Sequence, residues 1–167
     1  MKNPLFAHLL FAFAAVLPLA AAAQVSVQPA ADQEALLASA DPVLRANKRL
    51  VYDFWREVFE AGQVAQTDKY VAESYIQHNP NVPTGRAAMV GFVSRRTPTP
   101  LPVEARIKAP LVSIVAERDL VILSFVREYP EPQDPTRKYT TTWFDMFRLE
   151  NGKIVEHWDG AVKPPKP

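Results

Sequence analysis

Phe144-Asp145-Met146-Phe147-Arg148-Leu149-Glu150-Asn151-Gly152-Lys153-Ile154-Val155-Glu156-His157-Trp158-Asp159 reads as two strands joined by a tight turn. Asn151-Gly152 carries the reading, because a two-residue type I′ turn needs positive φ at both positions and these residue types tolerate it. That turn predicts a register in which Leu149 faces Ile154, Phe147 faces Glu156 and Asp145 faces Trp158. In a regular ladder Asp145 and Trp158 then share one face while Asp159 lies on the other. Both aspartates line one cavity only if a β-bulge near Trp158 shifts the parity; without it, Asp145 stays and Asp159 leaves.

Working outward from the hairpin, residues 106–116, 120–129, 139–149 and 153–162 are rich in Val, Ile, Thr and aromatics and predict four strands. The proline-rich stretch 130–138 reads as a loop between two of them, and 98–102 as an extended connector with too few amides for a helix. Upstream the period is helical. Asp41-Pro42 predicts a helix start, since the Asp41 carboxylate can cap orphan amides and Pro42 has none to cap. Leu44, Val51, Trp55, Val58 and Phe59 form its apolar stripe, and Gly62 ends it. A short helix over 67–73 and a third one capped by Thr84 complete the pattern, with 75–80 leaving helical geometry because Asn79 precedes Pro80. Helices followed by an antiparallel meander predict an α+β fold whose sheet curls around the helical stripe into a cone, leaving a mouth where a small-molecule pocket forms. Apolar residues on both faces of four strands leave the outer face to a second copy, so a homodimer is expected.

The remaining segments are read from composition. Lys2, the apolar run 5–19 and Ala21-Ala22-Ala23 have the form of a secretion signal over 1–23 cut before Gln24, which predicts a periplasmic or secreted protein with no membrane segment after its removal. Residues 24–40 read as a flexible leader, 41–162 as one α+β domain and 163–167 as a proline-rich tail. A net charge of +1 with interspersed signs offers no field for nucleic acid, and the absence of cysteine removes disulfides, thiol nucleophiles and thiolate metal sites. Three histidines, one of them in the signal segment and none in a HExxH spacing, argue against a zinc enzyme. No Gly-x-Ser-x-Gly or glycine-rich phosphate loop occurs. No metal and no organic cofactor is expected.

Tyr75-Ile76-Gln77-His78-Asn79-Pro80, followed by Gly85-Arg86, and the hairpin string from Phe144 to Asp159 resemble the signature segments of SnoaL-like proteins in the nuclear transport factor 2-like superfamily. The resemblance implies a cone-shaped α+β barrel, commonly a homodimer, with an apolar cavity and no cofactor. Characterised cyclases of this type close rings by acid/base aldol condensation, while other superfamily members isomerise ketosteroids, open epoxides or only bind.

Enolising a carbonyl compound needs a base for the α-proton and a donor for the developing oxyanion. Asp159 resembles in position the acidic residue of the cyclases and on that resemblance is the first candidate base, with Asp145 as the second and His78 as the partner that donates or accepts near neutral pH. Tyr52 or Tyr75 would supply the oxyanion donor, and Trp55, Trp143, Phe147 and Trp158 would help bind a small, largely apolar, carbonyl-containing molecule. Each has a bland alternative: a loop-bonding imidazole for His78, an ion pair with Arg148 or Arg127 for Asp145, a surface or interface place for His157, and simple core packing for the aromatics. A non-catalytic binding or interaction module of the same fold is the rival function.

Overall fold

A computed structural model of the chain describes residues 24–165. The export expectation rests on residues 1–23 and lies outside that range. Helix α1 spans Pro42–Phe54 and starts as its first residues require, with Asp41 accepting from the Val43 and Leu44 amides at 2.7 and 3.3 Å. It runs directly into a π-helical stretch, Trp55–Glu60, whose wider turn is closed by the Ala61 amide on the Arg56 carbonyl. Gly62 terminates it at φ +70°. A Cβ at Gly62 would sit 2.7 Å from Thr97 Cγ2. Gly62→Ala should therefore cost about 1–3 kcal/mol, read as a lower denaturant midpoint at unchanged slope.

Helix α2 is the short segment Thr67–Tyr70, and the chain then enters a strand that the sequence reading did not foresee, β1 at Val71–Gln77. Helix α3, Arg86–Arg96, is preceded by Gly85 rather than capped by Thr84, whose hydroxyl instead meets the Gln77 backbone. Strands β2 (Leu111–Glu117), β3 (Leu120–Glu131), β4 (Asp134–Glu150) and β5 (Lys153–Asp159) follow. The sheet has five strands in the order β1-β5-β4-β3-β2; all neighbours are antiparallel except β1 with β5. The stretch 130–138 is not a loop. β3 and β4 run on past the core to a turn at Pro132-Gln133, held by the cross-strand stacking of Tyr129 on Tyr139 at 5.8 Å.

The last hairpin turns at Asn151 (φ 50°) and Gly152 (φ 69°) as expected, and Leu149 pairs with Ile154. The next pair is Arg148 with Glu156, so Val155 is an extra residue on β5. This bulge lies nearer the turn than the one anticipated at Trp158. From it onward Phe147 faces His157, Met146 faces Trp158 and Asp145 faces Asp159, which corrects the register read from the turn alone.

Phe54 packs edge-on against Phe147 and Tyr70 at 6.0 and 6.1 Å, inside a core that includes Val58, Leu123 and Ile154. Each such side chain contributes about 1.5–3 kcal/mol of burial. Residues 24–40, read as a flexible leader, contribute to the same body: Leu37 is in the core, the Ala30 amide bonds the Leu111 carbonyl, and buried Gln33 accepts from the Tyr52 hydroxyl at 2.9 Å. Residues 24–27 cross the outer face of the curved sheet at Thr140, and among the described residues the part around Phe144 and Ile76, 56% and 41% exposed, stays open.

Candidate functional site

A cavity of 280 Å³ opens between the helices and the inner face of the sheet. Its walls are aromatic, with Trp55 and Phe59 from the π-helical turn, Phe92 from α3, Phe125 from β3, and Trp143 and Phe147 from β4. Trp55 stacks on Phe125 at 4.7 Å. Glu60 also reaches this wall, but its carboxylate accepts from the Lys108 and Ala109 amides at 2.8 and 2.9 Å and from the Trp55 indole, which fixes it as a structural group.

The polar groups converge at one end. Asp145 and Asp159 are ladder partners on β4 and β5, so both point inward, and His157 is one inward position away. Asp145 is 6% and His157 7% exposed. His157 Nε2 lies 3.1 Å from Asp145 Oδ1, and His157 Nδ1 lies 2.8 Å from Gln77 Oε1. That second contact decides a proton. The Asn79 amide donates to the same Gln77 oxygen at 2.9 Å, while Gln77 Nε2 donates to the Tyr75 hydroxyl at 3.0 Å. Gln77 Oε1 is thus an acceptor, and His157 Nδ1 must carry a hydrogen. Nε2 and the Asp145 oxygen could not approach as two bare lone pairs, so one further proton lies between them, on the imidazole or on the carboxyl group.

Asp159 differs from Asp145. Its Oδ2 accepts from Asn79 Nδ2 at 2.7 Å and its Oδ1 from the Ala161 amide at 2.9 Å, the pattern of an ionised, acceptor-only carboxylate. Burial, reinforced by the negative charges of Asp159 and Asp145, pushes the Tyr75 phenol well above its ordinary value. Its own hydrogen is committed to no acceptor among the described residues. Asp145, His157 and Asp159 each offer a ligand atom within 4.8 Å of the others and are the group that could share a divalent cation; a count of histidines did not anticipate this trio.

Among the residues named from sequence, Asp145, Asp159, Tyr75, Trp55, Trp143 and Phe147 come together at the cavity. Three do not. His78 stacks on Trp158 at 4.9 Å on the outer face and meets Glu156 at 2.8 Å, because β5 alternates outward at Glu156 and Trp158 and Ile76 pairs with Glu156. Its partners, His78 and Arg148, hold the Glu156 carboxyl below its ordinary value. Tyr52 is buried against Gln33 and does not line the cavity. The histidine at the site is His157, expected at the surface, and Asp145 pairs with it rather than with an arginine. Gln77 and Asn79 were missed altogether. The signal that could have found them is the short string containing them, since an extended segment beside β5 alternates Tyr75 and Gln77 to one side.

Residues 51–157 match the family model described as SnoaL-like domain. No curated protein matches the chain. Among solved structures, TsrD from Streptomyces laurentii is 20% identical with a TM-score of 0.47, over 72% of this chain and 90% of that one. A candidate polyketide cyclase from Acidithiobacillus ferrooxidans is 18% identical with a TM-score of 0.48, over 68% and 86%. An LEH-like epoxide hydrolase from M. tuberculosis is 13% identical with a TM-score of 0.46, over 68% and 80%. Likenesses at this level carry nothing about the reaction.

Proposed function

The chain belongs to the SnoaL-like domain family, whose model it matches over residues 51–157, and from that premise we propose that its cavity performs acid/base chemistry on a small carbonyl compound. The observation that carries the reading is the division of labour between two ladder-paired aspartates. Asp159 is held by two N–H donors as a carboxylate, whereas Asp145 shares a proton with His157. A site with one ready base and one ready acid side by side is suited to proton transfer.

In this reading Asp159 takes the α-proton, and the C–H electron pair becomes the enolate double bond. Tyr75, kept protonated by its burial, donates to the carbonyl oxygen as charge develops there. The proton between His157 and Asp145 is then available to the enolate carbon, which completes an isomerisation, or to an alkoxide formed when that carbon attacks a second carbonyl, which completes an aldol condensation. Loss of the Asp159 proton to water and uptake of one from water by the His157–Asp145 pair then restore the starting state. Gln77 positions His157 by fixing its tautomer.

A screen of enolisable ketones for deuterium uptake from heavy water tests this directly. Exchange above the uncatalysed rate, unchanged by a chelator, is the expected result. Exchange that needs an added divalent cation would transfer the chemistry to the Asp145, His157 and Asp159 trio as ligands. Binding without exchange for every ketone that binds would favour a ligand-binding module of the same fold.

We also propose that the open part of the outer face pairs with a second copy, since Ile76, Phe144 and Trp158 share it. Sedimentation at micromolar protein should give a dimer, and Phe144→Glu should shift it towards monomer. A monomer at all concentrations would contradict the pairing.

A further inference from the structure

Two guanidinium groups border the aromatic cavity away from its acid/base floor. Arg96, at the end of α3, lies over the Phe59 ring at 4.6 Å, and Arg127 on β3 lies over the Trp143 ring at 5.0 Å. All four residues line the cavity. Among the described residues neither arginine makes an ion pair with a carboxylate; Arg45, Arg86, Arg95, Arg106 and Arg137 make none either, but only Arg96 and Arg127 line the cavity. A guanidinium held over an aromatic face still has N–H groups to offer, and its fork of donors matches the two oxygens of a carboxylate.

We propose that Arg96 and Arg127 form a carboxylate-binding rim, so that the ligand of this cavity is a keto acid with its carboxylate several bonds from its carbonyl. This rests on reading the Asp145, His157 and Asp159 end as the reacting floor. Orientation follows from charge. A ligand carboxylate at the floor would meet two aspartates, Asp145 and Asp159, against the single proton shared with His157, and like charges at close range repel. At the rim it meets a cation from α3 or from β3, and among the described cavity residues the carboxylate on that side, Glu60, is occupied by backbone amides.

The spacing sets the length. Arg127 is the ladder partner of Thr141, four positions before Asp145 on β4, so the Arg127 and Asp145 backbones are about 14 Å apart. The arginine folds back over Trp143, only two positions from Asp145, which brings its charge nearer the floor. A carbonyl directly adjacent to the carboxylate would not span this interval, and a linker of two or three methylenes comes closer to it. The apolar walls between would take the linker and a ring.

Titration calorimetry with benzoylpropionate and benzoylbutyrate, each against its methyl ester, tests the rim without relying on turnover. The acids should bind about tenfold or more tighter than the esters, as charge-assisted hydrogen bonds allow. In Arg96→Gln/Arg127→Gln the acids should fall to the affinity of the esters while ester binding stays the same. Both side chains are solvent-exposed, so the double variant should stay folded and lose only the cation–π contacts with Phe59 and Trp143, a small drop in unfolding temperature, and the two single variants give the intermediate steps. Esters that bind as tightly as acids, an acid preference that survives the double variant, or no binding by either acid would each overturn the proposal. Acid-selective binding without deuterium exchange would leave the rim standing and count only against proton abstraction at the floor.

Discussion

Asp159→Asn should lower α-proton exchange by about 100 to 10,000-fold, the range that general-base catalysis supplies, with a modest fall in unfolding temperature because one of its two N–H donors then faces an NH2 group. The amide keeps the shape of the side chain and one acceptor oxygen for Asn79 or the Ala161 amide, but it cannot take a proton. Three further variants separate base from bystander. His157→Gln removes the group that holds the second proton and should reduce the rate of proton return. Asp145→Asn should act through His157, because its contact among the described residues is with that ring. His78→Ala should leave exchange unchanged, since His78 meets Glu156 and Trp158 outside the cavity. Full activity in Asp159→Asn with loss in Asp145→Asn would reverse the roles of the two carboxylates.

The same arrangement has a consequence for alkaline pH. The folded protein holds the Tyr75 proton more tightly than an exposed phenol would, so Tyr75 remains a donor above the pH at which an unfolded tyrosine ionises. Its contribution to stability is fully present below the unfolded value and is lost as pH rises towards the folded one. Loss of exchange at high pH ahead of unfolding would therefore point to a group other than Tyr75.

Local signals in the sequence were enough for the elements whose causes are local. Asp41-Pro42 starts α1 and Asn151-Gly152 turns the last hairpin, because capping and positive φ are properties of a few adjacent residues. What was not legible depends on neighbours far away in the chain. Val71–Gln77 is a strand because it lies alongside β5, while its own polar residues Glu73, Ser74 and Gln77 break the alternation of a half-buried strand. The choice between His78 and His157 turned on the same pairing. Both sit in suitable strings, and only the register of β1, β4 and β5 decides that His157 points in and His78 out. Gln77 and Asn79 carry no catalytic signature as residue types, so their roles become visible only once His157 and Asp159 are beside them.

The parity of β5 gives the other large expected effect, because a single inserted residue reverses every side chain that follows it. Alanine placed between Glu156 and His157 should turn His157 and Asp159 to the outer face and bring Trp158 into the cavity. Exchange should vanish, and the protein should be strongly destabilised by the displaced core contacts of His157 with Phe147, whose rings are 4.8 Å apart. Deleting Val155 is the matched control. Val155 is the extra residue of the bulge, so its removal leaves Leu149 opposite Ile154, Arg148 opposite Glu156 and Asp145 opposite Asp159. The deletion gives up one buried valine, about 1.5–3 kcal/mol, together with the local twist that a bulge adds, yet both aspartates still face inward. The Val155 deletion should therefore retain measurable exchange at a lower unfolding temperature, while the insertion loses it altogether. Equal loss in both variants would mean that the twist at Val155, rather than the in-and-out order of the strand, is what holds Asp145 and Asp159 together.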